Sequence, residues 1–159
     1  MKRRTFLQAL ASLPLAYSAM SQAHHTKGNQ IEELKLSEKE WRKRLTSEQF
    51  YILREEGTER SFTSPLNDEK RQGEYRCAGC DYLLFTSEMK YDSGTGWPSF
   101  FTVVEGHIGT STDFKLIYPR TEYHCARCGG HQGHVFNDGP QPTGKRWCNN
   151  GLALKFVPA

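Results

Sequence analysis

Two short cysteine pairs constrain this chain more than any other feature. Cys77-Ala-Gly-Cys80 and Cys125-Ala-Arg-Cys128 are both Cys-x-x-Cys. Each pair can grip a tetrahedral zinc ion from one side, and together they complete a closed site of four thiolates. Any fold of this chain must therefore bring residues 77–80 against residues 125–128. Gly129-Gly130 lets the backbone turn there and aim amides at thiolate sulfur. Two disulfides are the competing arrangement in an oxidising compartment. A bridge within one knuckle is strained, however, and cross-pairing would waste the knuckle geometry. We therefore expect one structural zinc ion held by Cys77, Cys80, Cys125 and Cys128. A closed site leaves no open coordination position, so the metal should hold the fold and not take part in chemistry. It would staple the 73–86 region to the 121–130 region.

Five cysteines leave one over. An unpaired cysteine is often a small apolar filler, but the surroundings of Cys148 argue for a reactive thiol. Arg146 stands two residues before it and Asn150 two after. On a strand all three side chains can share one face. A guanidinium stabilises a thiolate, and Asn150 can offer an amide donor. Just upstream, His131 and His134 can supply protons near neutral pH. A thiol, two imidazoles and a guanidinium are the parts needed to activate a sulfur nucleophile.

The 159 residues suggest one domain behind a leader. Lys2, Arg3 and Arg4 are followed by an apolar run from Phe6 to Ala19 and by Ser21-Gln22-Ala23, a small-x-small cleavage pattern. This is the layout of a secretory signal over residues 1–23, and Arg3-Arg4 before Phe6-Leu7 resembles the twin-arginine type. The run is short of the ~20 residues that span a bilayer, and Pro14 interrupts it. An exported, periplasmic protein is expected, and the twin-arginine route would let it fold and load metal first. Cleavage would remove three of 21 basic residues and none of 18 acidic ones, leaving the mature chain neutral. That argues against a nucleic-acid surface.

Residues 24–36 read as a flexible lead-in to a domain over 37–159. Ser37 with Glu40, and Thr46 with Gln49, are capping boxes for two helices, the second stopping at Gly57. Trp41 and Phe50 are packing residues. From Gly73 the pattern turns to strands: Tyr82–Thr86, Ser99–Val104, Asp113–Tyr118, Thr121–Cys125 and Leu152–Val157. Phe114 and Leu116 alternate with Lys115. Leu152, Leu154 and Phe156 share a face opposite Lys155, as half-buried antiparallel strands do. The fold class is mainly β with N-terminal helices.

Gly96-Trp97-Pro98-Ser99-Phe100, His131-Gln-Gly-His134-Val-Phe136, Asp138-Gly-Pro-Gln-Pro-Thr-Gly144 and Arg146-Trp-Cys148-Asn-Asn150 resemble the type B methionine sulfoxide reductases. The resemblance runs from about Ser37 to Val157. It implies two facing antiparallel sheets, a tent-like fold, with zinc on the two Cys-x-x-Cys pairs. It implies reduction of the R epimer of methionine sulfoxide in proteins or peptides, with Cys148 as nucleophile. Trp97 would pack against the substrate methyl group beside Phe136. His131, His134, Asp138, Arg146 and Asn150 would line the oxygen side. A sulfoxide oxygen leaves poorly until protonated, so charge must be supplied where the S–O bond breaks.

Two positions depart from the family pattern. Many relatives carry a resolving cysteine just before Gly-Trp-Pro-Ser-Phe, where this chain has Thr95. A one-cysteine cycle is therefore expected, with an outside dithiol such as a thioredoxin-like protein as reductant. Trp147 replaces the usual tyrosine or phenylalanine, which keeps the aromatic character. A monomer is expected. Two other functions compete. A zinc-stapled β binding module explains the four cysteines, but not why Trp97, the histidine pair and Cys148 occur together. A disulfide oxidoreductase built on one Cys-x-x-Cys pair would want a βαβ arrangement, which the strand-rich pattern lacks.

Overall fold

The computed structural model of the protein describes residues 31–116 and 118–159. The expected signal over 1–23, and the lead-in as far as residue 30, lie outside the described residues. The domain begins with two helices, α1 (Glu38–Arg44) and α2 (Ser47–Glu55). Both start on the expected capping boxes. Ser37 and Thr46 accept hydrogen bonds from the N3 amides, and Glu40 and Gln49 reach back to the cap amides. Helix α2 buries Phe50, Ile52 and Leu53. It ends at Glu56, whose φ of 54° is left-handed, one residue before the glycine expected to stop it.

Among the described residues nine strands follow: β1 (Gly73–Cys77), β2 (Leu83–Thr86), β3 (Lys90–Tyr91), β4 (Ser99–Phe100), β5 (Ile108–Asp113), β6 (Arg120–Cys125), β7 (His131–Phe136), β8 (Arg146–Asn149) and β9 (Leu154–Pro158). They form two antiparallel sheets, one ordered β2-β1-β9 and the other β3-β4-β8-β7-β6-β5. The mainly β class with two facing sheets is as expected. Aromatic rings fill the interior. Phe85 stacks on Phe100 at 3.9 Å, and Tyr75 of the small sheet meets Phe100 of the large one edge-on at 5.0 Å. Tyr75, Phe85, Phe100 and Tyr123 are completely buried.

Several strand bounds differ from expectation, for local reasons. The strand expected over Asp113–Tyr118 is instead Ile108–Asp113. The Asp113 carboxylate accepts the Lys115 amide at 2.7 Å, an Asx turn that carries the chain off the sheet. Phe114 and Leu116 alternate with Lys115, yet are 75% and 48% exposed. Ser99–Val104 pairs only over Ser99–Phe100. Leu152 lies in a single 3₁₀ turn, Gly151–Ala153, so β9 starts at Leu154. The Glu59 carboxylate accepts the Gly151 and Leu152 amides and holds that turn.

Candidate active site

The large sheet has one face that carries nearly all the polar chemistry. Cross-strand partners share a face, and Ser99, Cys148, His134 and Glu122 are successive partners across β4, β8, β7 and β6. Arg146 and Phe136 pair one step along β8 and β7. The opposite face carries Phe100, Trp147, Val135 and Tyr123, whose register places them together toward the core.

His131 and His134 are three apart, and on a regular strand they would point to opposite sides. The β6–β7 register slips by one residue, from Tyr123↔Gly133 to His124↔His131. Gln132 is the extra residue of this bulge. The two imidazoles therefore meet edge-on, 5.5 Å apart. Gly133 is required between them, because a β-carbon there would collide with the Cys148 carbonyl oxygen across the β7–β8 ladder.

A cavity of about 230 Å³ opens on this face, with Cys148, Trp97, His134, Phe136, Arg146 and Arg120 in its walls. It suits one side chain, being smaller than the pockets that hold drug-sized ligands. Trp97 is fixed by its indole N–H, which donates to the Glu59 carbonyl at 3.2 Å. Arg146 is aimed by a two-pronged ion pair with Asp138, at 2.8 and 2.9 Å, and its guanidinium lies 4.3 Å over the Phe136 ring. Asp138 is itself 61% exposed and reaches the cavity only through Arg146. Burial pushes the Cys148 thiol above its ordinary value, and the Arg146 guanidinium and Thr95 hydroxyl only partly offset this. The sequence had suggested a simple cation-stabilised thiolate; here desolvation outweighs the cation. Thr95 ends a hydroxyl string, 2.8 Å from Ser93, which is 2.8 Å from Ser99.

Each histidine has its own carboxylate. His134 Nε2 lies 2.6 Å from Asp113 Oδ2, which also pairs with Arg120 at 2.6 Å. The Lys115 amide first, with His134 and Arg120 in support, holds Asp113 well below the ordinary carboxylate range against the effect of burial. Burial keeps His134 below its usual value despite Asp113. It is therefore neutral at neutral pH, with its Nε2–H directed to Asp113. His131 Nδ1 lies 2.7 Å from Glu122 Oε1, while its buried Nε2 has no protein partner. Burial alone would raise the Glu122 carboxyl, but hydrogen bonds from His124, His131 and Ser111 outweigh it and bring it down to about 2.

Asn150 is placed differently from expectation. Strand β8 ends at Asn149, and the Asn150 amide is spent within the protein. Its Oδ1 accepts the Glu59 amide and its Nδ2 donates to the Gln132 carbonyl, both at 3.0 Å. It borders the cavity as part of the wall, its carboxamide fixed by these two bonds. Sequence reasoning missed Glu59, Asp113, Arg120 and Glu122. They are single charged residues in no motif, and only the strand register brings them to the site.

The four remaining cysteines form one buried cluster with all sulfurs within 4.8 Å of one another. Cys77 and Cys128 sulfurs are 3.7 Å apart, and those of Cys80 and Cys125 3.5 Å. A disulfide needs about 2.05 Å. Four thiolates at about 2.3 Å from one tetrahedral ion stand about 3.8 Å apart, so the donor set fits zinc. The Gln132 amide donates to Cys77 Sγ at 3.5 Å. The knuckles join the two sheets, since Cys77 ends β1 and Cys125 ends β6. Arg54 of α2 donates to the Cys128 carbonyl at 2.9 Å and lies over Trp41 of α1, so the helices cover this end.

Residues 45–158 match the SelR domain family. The chain belongs to this family. The chain is 48% identical over 147 residues to the protein named peptide methionine sulfoxide reductase B1, chloroplastic, of Arabidopsis thaliana, covering 88% of this chain and 73% of that one. It is 52% identical to peptide methionine sulfoxide reductase MsrB of Agrobacterium fabrum over 77% of this chain and 91% of that one. The corresponding protein of Leptospira interrogans is 50% identical over 78% of this chain and 95% of its own length. The SelR match takes in both zinc knuckles, the cavity and Cys148.

Proposed function

We propose that this protein reduces methionine-(R)-sulfoxide residues of proteins to methionine, with Cys148 as the nucleophile. The observation that carries the reading is a lone thiol at a cavity walled by an indole on one side and by His134 and Arg146 on the other. The thioether methyl group rests against Trp97, an apolar face that reads it by shape. Arg146, held by Asp138, and His134 face the sulfoxide oxygen, with the buried His131 edge-on behind His134. Cys148 gives up its proton and attacks, the S–O bond breaks, and the oxygen is transferred to Cys148 as sulfenic acid. The sulfoxide sulfur is reduced to the thioether and the cysteine sulfur is oxidised in the same step. The histidine–carboxylate pairs carry the protons that this exchange needs.

Recycling is assigned to an outside dithiol of the thioredoxin type. Its first thiol condenses with the sulfenic acid, releasing water, and its second thiol frees Cys148 as the donor closes its own disulfide. The position before Gly96 is Thr95, and the other four cysteines sit in the buried metal cluster. These positions support the reading of a one-cysteine cycle. The protein is further proposed to be exported, on the strength of Arg3-Arg4 and the apolar run to Ala19. N-terminal sequencing of the mature protein from the periplasmic fraction tests the export.

The deciding experiment is single-turnover reduction of separated R and S dabsyl-methionine sulfoxide, with thiols counted before and after. One R equivalent should be reduced per chain, with loss of one thiol and no internal disulfide. Cys148→Ser should abolish turnover and keep its zinc. Equal turnover by that variant would return the protein to the class of zinc-stapled binding modules.

A further inference from the structure

Trp97 is a wall shared by two cavities. Beyond it lies a second one of about 180 Å³, bordered by Phe62, Lys90, Tyr91, Gly96 and Pro98. Phe62 is 73% exposed, yet its backbone sits at φ 61°. Bulky aromatic residues rarely adopt that region. Its amide donates to the Gly96 carbonyl at 2.7 Å, and its ring fills the space a β-carbon on Gly96 would need. Such strain persists only where the surroundings enforce it, and it clusters at functional sites. An exposed aromatic ring is thus held beside the indole at the cavity mouth.

The opposite border has the same character. The chain leaves β5 at Asp113 and enters β6 at Arg120, the pair that edges the cavity beside His134. Between them Phe114, Leu116 and Tyr118 are 75%, 48% and 64% exposed. Among the described residues, four of the six exposed large hydrophobic side chains fall in these two segments. Contiguous exposed apolar surface marks an interaction site. The neighbouring charges are neutralised in pairs, Arg146 with Asp138, Arg120 with Asp113 and Lys115 with Glu56. Beside Phe62 the second cavity also carries Asp68, Lys90 and Asp92, so the apolar contact on offer comes from the exposed rings themselves.

We propose that Phe62 on one side and Phe114, Leu116 and Tyr118 on the other form a docking cleft for an extended segment of the oxidised protein. The sulfoxide enters the cavity, and large apolar residues two positions before and after it settle on the two borders. In an extended chain those positions share a face with the sulfoxide and lie about 7 Å from it along the backbone. Phe62 adjoins the cavity wall through Gly96 and Trp97, and the other border adjoins it through Arg120; the inference rests on the function proposed above. It adds a sequence preference: sulfoxides flanked two positions away by large apolar residues.

The test uses full-length mature protein and the blocked peptides Ac-Xaa-Gly-Met(R-sulfoxide)-Gly-Xaa-NH2, with Xaa as Leu, Phe, Ser or Asp. The native protein should show kcat/KM about tenfold higher for Leu and Phe than for Ser and Asp, the scale at which apolar pockets discriminate. Phe62→Gly, which relieves the positive φ, and the double variant Phe114→Ser/Leu116→Ser should each cut that ratio severalfold, with zinc content and melting temperature retained. A ratio near one in the native protein, or an undiminished ratio in both variants, overturns the cleft. Failure to turn over any R-sulfoxide peptide would instead sink the functional reading beneath it.

Discussion

Arg146 and Glu122 each tune a titrating neighbour, and each gives a prediction whose sign the surroundings fix. Burial raises the Cys148 thiol and Arg146 opposes the rise, so thiolate accumulates only as pH climbs above the ordinary thiol range. Arg146→Met should shift the pH dependence of Cys148 alkylation by iodoacetamide to higher pH. It should also slow single-turnover reduction at pH 7 by about 10- to 100-fold. Glu122 has its carboxyl brought from 4.5 down to about 2. A depressed carboxyl contributes stability that is complete above its unfolded value and is lost as pH falls through the folded one. The native protein should therefore weaken between about pH 4.5 and 2 in urea titrations. Glu122→Gln should be less stable at pH 7 by about 3 kcal/mol and flatter across that window. Among single residues, the chemical identity of Cys148, Trp97 and the histidine pair was legible in the sequence. Their carboxylate partners were not, because Asp113 and Glu122 acquire meaning only from strands paired across the sheet.

Strand β7 decides the site as an element, and it illustrates what pattern reading loses. His131-Gln-Gly-His134-Val-Phe136 carries glycine and histidine where a strand signal wants β-branched residues, so it reads as a loop. It is a buried inner strand whose bulge at Gln132 turns two histidines to one side. Gly133→Ala should be among the most damaging single changes available. The added methyl meets the Cys148 carbonyl oxygen of a paired strand, which cannot step aside. A loss of about 3 kcal/mol or more is expected, read as a lowered melting temperature, with reductase activity falling in the residual folded protein. The segment after Asp113 erred the other way. Its alternation suggested burial, but among the described residues no second layer lies over Phe114 and Leu116, and the Asx turn at Asp113 had already ended the strand. Helices α1 and α2 were fully legible because their capping boxes are local chemistry.

At the scale of the whole molecule, the four-cysteine cluster is the one contact between the sheets that the sequence announced, and it sits where the spacing demanded. Stripping the metal with a chelator under denaturant, then refolding without it, should lower the melting temperature by on the order of 10 °C or more. Amide exchange should rise first at residues 77–80 and 125–130. Readdition of zinc should restore both properties. The pairing of the sheets through Tyr75, Phe85 and Phe100 was not legible, since aromatic packing across 25 residues of chain leaves no periodic trace. A last consequence follows from the address of the reacting sulfur. Strand β8 is flanked by β4 and β7, so Cys148 rides on backbone laced to neighbours along both edges, unlike the mobile loops that host many reactive groups. Heating should not blunt the thiol before the architecture gives way. Inactivation and melting curves should superimpose, with no temperature band in which an intact scaffold carries a dead centre.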